Sequence, residues 1–85
     1  MKIPKLEKNE CSVVIADFKT GKIFKSDLTI FIEGENENEV FQIFKTFEKA
    51  KKWVIEFINE KPEYECSIWD NMGEHLLTYD LNGKR

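Results

Sequence analysis

"TFEKAKKWVIEFINEKP", residues 46–62, is the one stretch with clear helical spacing in a chain otherwise written in alternation. At about 100° per residue, Phe47, Ala50, Trp53, Val54, Phe57 and Ile58 fall in a sector about 140° wide, while Glu48, Lys52, Glu56 and Asn59 face away. This pattern predicts an amphipathic helix with one buried face. Thr46 is placed to cap its first turn, and Glu48 suits the positive end of the helix dipole. Pro62 disfavours helical geometry at Lys61 and starts the chain toward an extended segment.

Before the helix the period is two. Cys11, Val13 and Ile15 point one way and Ser12, Val14, Ala16 and Phe18 the other, and after "KTGK" the alternation resumes through Phe24, Leu28, Ile30 and Ile32. This predicts a β-hairpin. Pairing Phe18 with Ile23 sets Ile15 opposite Ser26, Val13 opposite Leu28 and Cys11 opposite Ile30, which makes one face apolar. "VFQIFKTF" from Val40 fits either period, and its aromatic and β-branched content favours a third strand ending at Lys45. After the helix, "YECSIWD" and "EHLLTYDL" predict a second hairpin around "DNMG". Pairing Trp69 with Glu74 places Ile68 opposite His75, Cys66 opposite Leu77 and Tyr64 opposite Tyr79.

The expected fold is therefore α+β: an antiparallel sheet of about five strands in the order β-β-β-α-β-β, with one helix on one face. At 85 residues the chain is expected to form a single domain spanning 1–85, with residues 1–9 as a loosely held tail.

Charge narrows the functions. The net charge of −3 is uneven, since residues 26–44 carry five acids and no base while the segment before them carries six lysines. The single Arg, at the C-terminus, argues against a nucleic-acid groove, because phosphate and base recognition lean on Arg forks. Phe18, Phe31 and Trp69 could form a stacking platform for single strands, but such platforms need a positive groove, and Asp27 and the acidic loop lie near the same surface. No apolar run approaches the roughly 20 residues of a membrane span and "MKIPKLEKNE" has no apolar core of a leader, so a cytoplasmic location is expected.

The stretch "YECSIWDNMGEHLLTYD", residues 64–80, gathers a cysteine, the sole histidine and several carboxylates. A Cys66–His75 nucleophile pair would need hydrogen-bond reach and an oxyanion donor array, and the predicted register separates the two by two pairing positions. Cys11 and Cys66 lack zinc spacing and read as buried thiols, with a bridge between them the lesser alternative. Glu33, Glu35, Glu37 and Glu39 alternate in "EGENENE" without the ligand order of a calcium loop. No catalytic residue, metal or cofactor is assigned.

What stands out is the back of the sheet. With one helix on one face, the other carries Val14, Ala16, Phe18, Ile23, Phe31, Trp69 and Leu76, too much apolar surface to leave wet. Either the N-terminal tail covers it through Ile3, Pro4 and Leu6, or the strand order differs and part of the face is internal, or Phe18, Ile23, Phe31, Trp69 and Leu76 form an interaction surface for a homodimer or another protein. The expected function is a small non-catalytic protein-interaction module acting by docking or occlusion, with the acidic loop Glu33, Glu35, Glu37 and Glu39 steering a basic partner. Small acidic inhibitors, such as antidotes that neutralise a toxin, share this character by size and charge alone. The alternative is a small ligand-binding domain or enzyme with a pocket between helix and sheet, using Tyr64, His75 and Tyr79.

Overall fold

A computed structural model describes residues 4–84, with Lys84 described by its backbone alone. Its strands are β1 (Cys11–Asp17), β2 (Ile23–Phe24), β3 (Gln42–Phe44), β4 (Tyr64–Trp69), β5 (His75–Asp80) and the short β6 (Gly83–Lys84), with helix α1 (Phe47–Glu60) between β3 and β4. The expected α+β fold with one helix on an antiparallel sheet is observed, and β6 adds a two-residue strand to the five predicted. The sheet runs β2-β1-β4-β5-β6, and β3 shares with β2 the edge of β1 that faces away from β4.

The helix forms as its spacing requires. Thr46 Oγ1 accepts from Lys49 N at 3.2 Å, and the Lys61 N–H closes on the Phe57 carbonyl at 2.8 Å just before Pro62. Ala50, Val54 and Ile58 are buried against Cys11, Val13 and Ile15 of β1, Cys66 and Ile68 of β4 and Leu77 of β5. Trp53 stacks on Phe57 at 4.8 Å between ring centres, and Phe57 in turn meets Tyr64 at 5.6 Å, closing one flank of this main core.

Both predicted hairpin registers are off by two residues, for identifiable reasons. In the first, Ile15 lies opposite Phe24 rather than Ser26. Asp17 sets this: its carboxylate accepts from Lys19 N and from the Thr20 hydroxyl at 2.6 Å, while its backbone bonds Lys22 and Gly21. The turn therefore begins one residue earlier than the apolar pattern suggests, and Gly21 supplies the left-handed conformation it needs at φ +75°. The second predicted strand stops at Phe24, because Lys25–Thr29 make another turn in which Asp27 accepts from the amide and hydroxyl of Thr29 and Leu28 takes φ +67°. A leucine in that conformation is strained, and nothing in the alternation of "DLTIFI" announces it.

In the second hairpin Cys66 lies opposite Tyr79 and Ile68 opposite Leu77, and then Trp69 opposite His75, so that Leu76 is squeezed out as a bulge. Asp70 causes it. Its Oδ1 accepts from both Met72 N and Glu74 N, and Gly73 at φ +80° donates to the Asp70 carbonyl, which consumes the residues that were to pair.

The third strand is present but short, and Glu37–Val40 before it form a 3-10 turn capped by Asn36. This turn decides what happens on the back of the sheet. Val40 and Phe41 are buried on Val14 with Ile23, Phe31 and Trp69 around them, a second core on the side opposite the helix. Val14 and Ala16 are accordingly buried too, at 9% and 8% exposure, though less completely than Val13 and Ile15 on the helix side, and β1 reads as a continuous apolar run. Among the described residues Pro4 and Leu6 are absent from this second core, and Ile3 of the expected tail cover lies outside the described residues.

Candidate functional site

The back face combines alternate residues of three strands with the segment that crosses it. From β1 come Ser12, Val14 and Ala16, from β2 Ile23, and from β4 Glu65, Ser67 and Trp69, because each strand turns every second side chain to the same face. Between Phe41 and this sheet lies an open groove of about 350 Å³, walled by Val14, Ala16, Ile23, Phe41 and Trp69, with Glu65 and Ser67 as its polar members. It lies at the small end of the roughly 300–1,000 Å³ range of ligand pockets, enough for one or two side chains of a partner.

A polar strip borders the groove. The Ser67 and Thr78 hydroxyls are 2.9 Å apart across β4 and β5, and Thr78 Oγ1 lies 2.7 Å from His75 Nε2. The His75 ring meets Trp69 edge to face at 5.1 Å. Ser12, between Ile43 and Trp69 in the ladder, is fully buried, and its hydroxyl has no hydrogen-bond partner among the described residues.

Of the predicted surface residues, Ile23, Phe31 and Trp69 come together on this face. Leu76 does not join them. The bulge takes it toward Cys11, Thr46 and Phe47, where it lines a shallow depression of about 690 Å³ beside the start of α1. Phe18 sits in the turn after β1, donates its N–H to the Glu63 carbonyl at 3.0 Å and is not part of the second core. Val40, Phe41 and Ser67 were missed. Val40 and Phe41 read as the start of a strand, and no pattern in the sequence says that they cross the sheet instead.

The acidic loop is partly folded inward. Glu35 Oε2 is 2.8 Å from Lys25 Nζ and its Oε1 accepts from Ile32 N at 2.8 Å, while Glu39 approaches Lys25 at 4.0 Å. The bond to Lys25 holds the Glu35 carboxyl below the usual range and raises Lys25 above its own. Glu33, Glu37 and Glu39 remain exposed.

The Cys66–His75 pair is not assembled. Cys66 faces the helix and His75 the back, so they lie on opposite sides of the sheet. Burial, reinforced by Glu65, pushes the Cys66 thiol up to about 12, and burial raises Cys11 as well. Both cysteines are free, and Cys66 pairs with Ile15, four residues along β1 from Cys11 and so about 13 Å away, which rules out a bridge. Among the described residues, no group of three or more His, Cys, Asp or Glu could hold a metal, and no helix is long and apolar enough to cross a membrane. Tyr64 and Tyr79 pack against the main core between helix and sheet.

Compared with known proteins, the chain matches no family, no curated sequence and no solved structure.

Proposed function

We propose that the chain is a small non-catalytic interaction module that docks another protein on the back of its sheet. The observation that carries this reading is the groove between Phe41 and Trp69, an apolar concavity with aromatic walls and the polar strip Ser67–Thr78–His75 at its rim. Aromatic anchors set in a partly desolvated recess are the places where interface energy concentrates.

The sheet's edges favour a face over strand addition. β3 has three residues, β2 is paired by its own continuation through Phe24 and Ile30, and β5 carries the Leu76 bulge and is capped at Tyr79 and Asp80 by β6. Short, bulged and covered edges resist pairing with another chain. Glu33, Glu37 and Glu39, exposed beside this face, would speed the approach of a basic partner, and that contribution should fade with salt.

The test compares baits. Wild type, Trp69→Lys, Ile23→Lys and Leu76→Lys, each confirmed folded by circular dichroism, are used to capture proteins from an extract of the source cells. A protein held by wild type and Leu76→Lys but lost from the other two supports docking at the groove. Capture that ignores Trp69 and Ile23 refutes it. Light scattering that finds a wild-type dimer made monomeric by Trp69→Lys would give the face to self-association instead.

A further inference from the structure

The chain leaves the edge of β1 at Phe24, opposite Ile15, and rejoins it at Gln42, opposite Val13. These stations are two residues apart, so residues 25–41 form an excursion whose ends lie only about 7 Å from each other along the edge. A compact surface loop with adjacent ends is an Ω-loop, an arrangement that can open without unravelling what it is attached to. This one straddles the sheet's edge: Leu28 packs on the main core, while Phe31, Val40 and Phe41 belong to the second.

Its two limbs are clipped together at the base. Ser26 donates its amide and hydroxyl to the Glu39 carbonyl at 2.8 and 3.0 Å, and Lys25 reaches across to Glu35 and Glu39. Elsewhere the loop is tied to β2 by the Phe31 amide on the Ile23 carbonyl at 2.9 Å and by the bridge between Phe24 and Ile30. Beyond Val40, Phe41 and Phe31 its residues are mostly exposed, and Leu28 is strained at φ +67°.

We propose that residues 25–41 are a strap that opens as a unit over the back of the sheet, with Lys25 as its clip. Opening lifts Phe41 and Phe31 away and turns the narrow groove into a continuous apolar face over Val14, Ala16, Ile23 and Trp69. The use a partner makes of that face rests on the docking reading. The opening is a property of the free chain.

Four charged groups face one another at the clip: Lys25, Glu35, Glu39 and Asp27. The Glu35 carboxyl is lowered by the Lys25 bond and the Ile32 amide, so it favours the closed strap above the ordinary carboxylate range and ceases to do so as pH falls through its lowered value. Opening is therefore promoted by acid as pH falls below the ordinary carboxylate range.

Hydrogen exchange on the free protein, corrected for intrinsic rates, reads this directly. The amides of Ser26 and Phe31, bonded to Glu39 and Ile23, should exchange faster than those of Cys66 and Ile68 in β4. Lys25→Met should quicken the first pair several-fold and leave the second unchanged. Glu35→Gln keeps an acceptor for Ile32 N but loses the charge, and should do the same at neutral pH while removing the extra acceleration in acid. Equal rates for strap and β4 amides in wild type, a uniform change in Lys25→Met, or the same acid response in Glu35→Gln as in wild type would overturn the proposal. Because no partner enters the measurement, failure of the docking reading would leave its outcome untouched.

Discussion

Replacing Phe41 by Ala removes the largest side chain that covers the back of the sheet. Phe41 is 7% exposed, so nearly all of its ring is withdrawn from water by Val14, Val40 and Trp69. An aromatic side chain buries about 150–250 Å², of which the ring beyond Cβ accounts for roughly 115 Å² here, or about 3 kcal/mol at ~25 cal/mol per Å². Allowing for a compact unfolded chain brings this to about 2–3 kcal/mol, at or below the ~3–5 kcal/mol usual for Phe→Ala, as befits a site already open on one side. A domain of 85 residues is expected to have about 4–13 kcal/mol in all, so the loss is a large share. Urea denaturation followed by circular dichroism should show the midpoint falling by about 2–3 M, taking a slope of about 1 kcal/mol per M. Ile43→Ala, at a site 45% exposed, serves as the control and should cost under about 1 kcal/mol. A Phe41→Ala variant as stable as that control would mean that the second core does not exist in solution.

Other expectations test separate parts of the structure. Ser12→Ala should be neutral or stabilising, because it removes a fully buried hydroxyl that has no partner among the described residues, and a loss above about 1 kcal/mol in urea would reveal a bond it does make. Thr46→Ala should cost about 1 kcal/mol, since the Lys49 amide loses its acceptor, and Thr46→Ser should restore most of it. Cys66 keeps its proton in the folded state up to about 12 while the unfolded thiol loses it near 9, so stability should fall with rising pH between those values. The Cys66 part of the slope should reach about 1.4 kcal/mol per unit and be lost in Cys66→Ala, leaving the part due to Cys11 and Lys25, and a thiol reagent at pH 8 should label Cys66 only on unfolding.

Parts of the fold were legible because one physical cause dominated them. In α1 the apolar period, the Thr46 cap and the stop at Pro62 agree, and no other arrangement satisfies all three. β1 was legible for the same reason, its neighbours on both faces being apolar. The hairpins were misread where side chains bonded to backbone outweighed the pattern. Asp17 and Asp70 each cap a turn with their own carboxylate, shifting the strands by two residues, and alternation carries no record of such bonds. Leu28 and Leu76 mislead in another way, since an apolar residue in a turn or a bulge still counts as a strand residue in any periodicity. The candidate surface suffered accordingly. Ile23 and Trp69 follow from strand parity, whereas Phe31 joins them from a loop although the strand predicted through it ends at Phe24, and the cover supplied by Val40 and Phe41 depends on where that loop returns.

Both proposals depend on that return of the chain, and a nuclear Overhauser spectrum of labelled wild-type protein at neutral pH tests it most directly. Cross-peaks from the Phe41 ring to the Val14 methyls, together with contacts of Val40 or Phe31 in the same cluster, are expected from the second core. A Phe41 ring at random-coil shifts, with the Val14 methyls in contact with solvent or with the N-terminal segment instead, would contradict it.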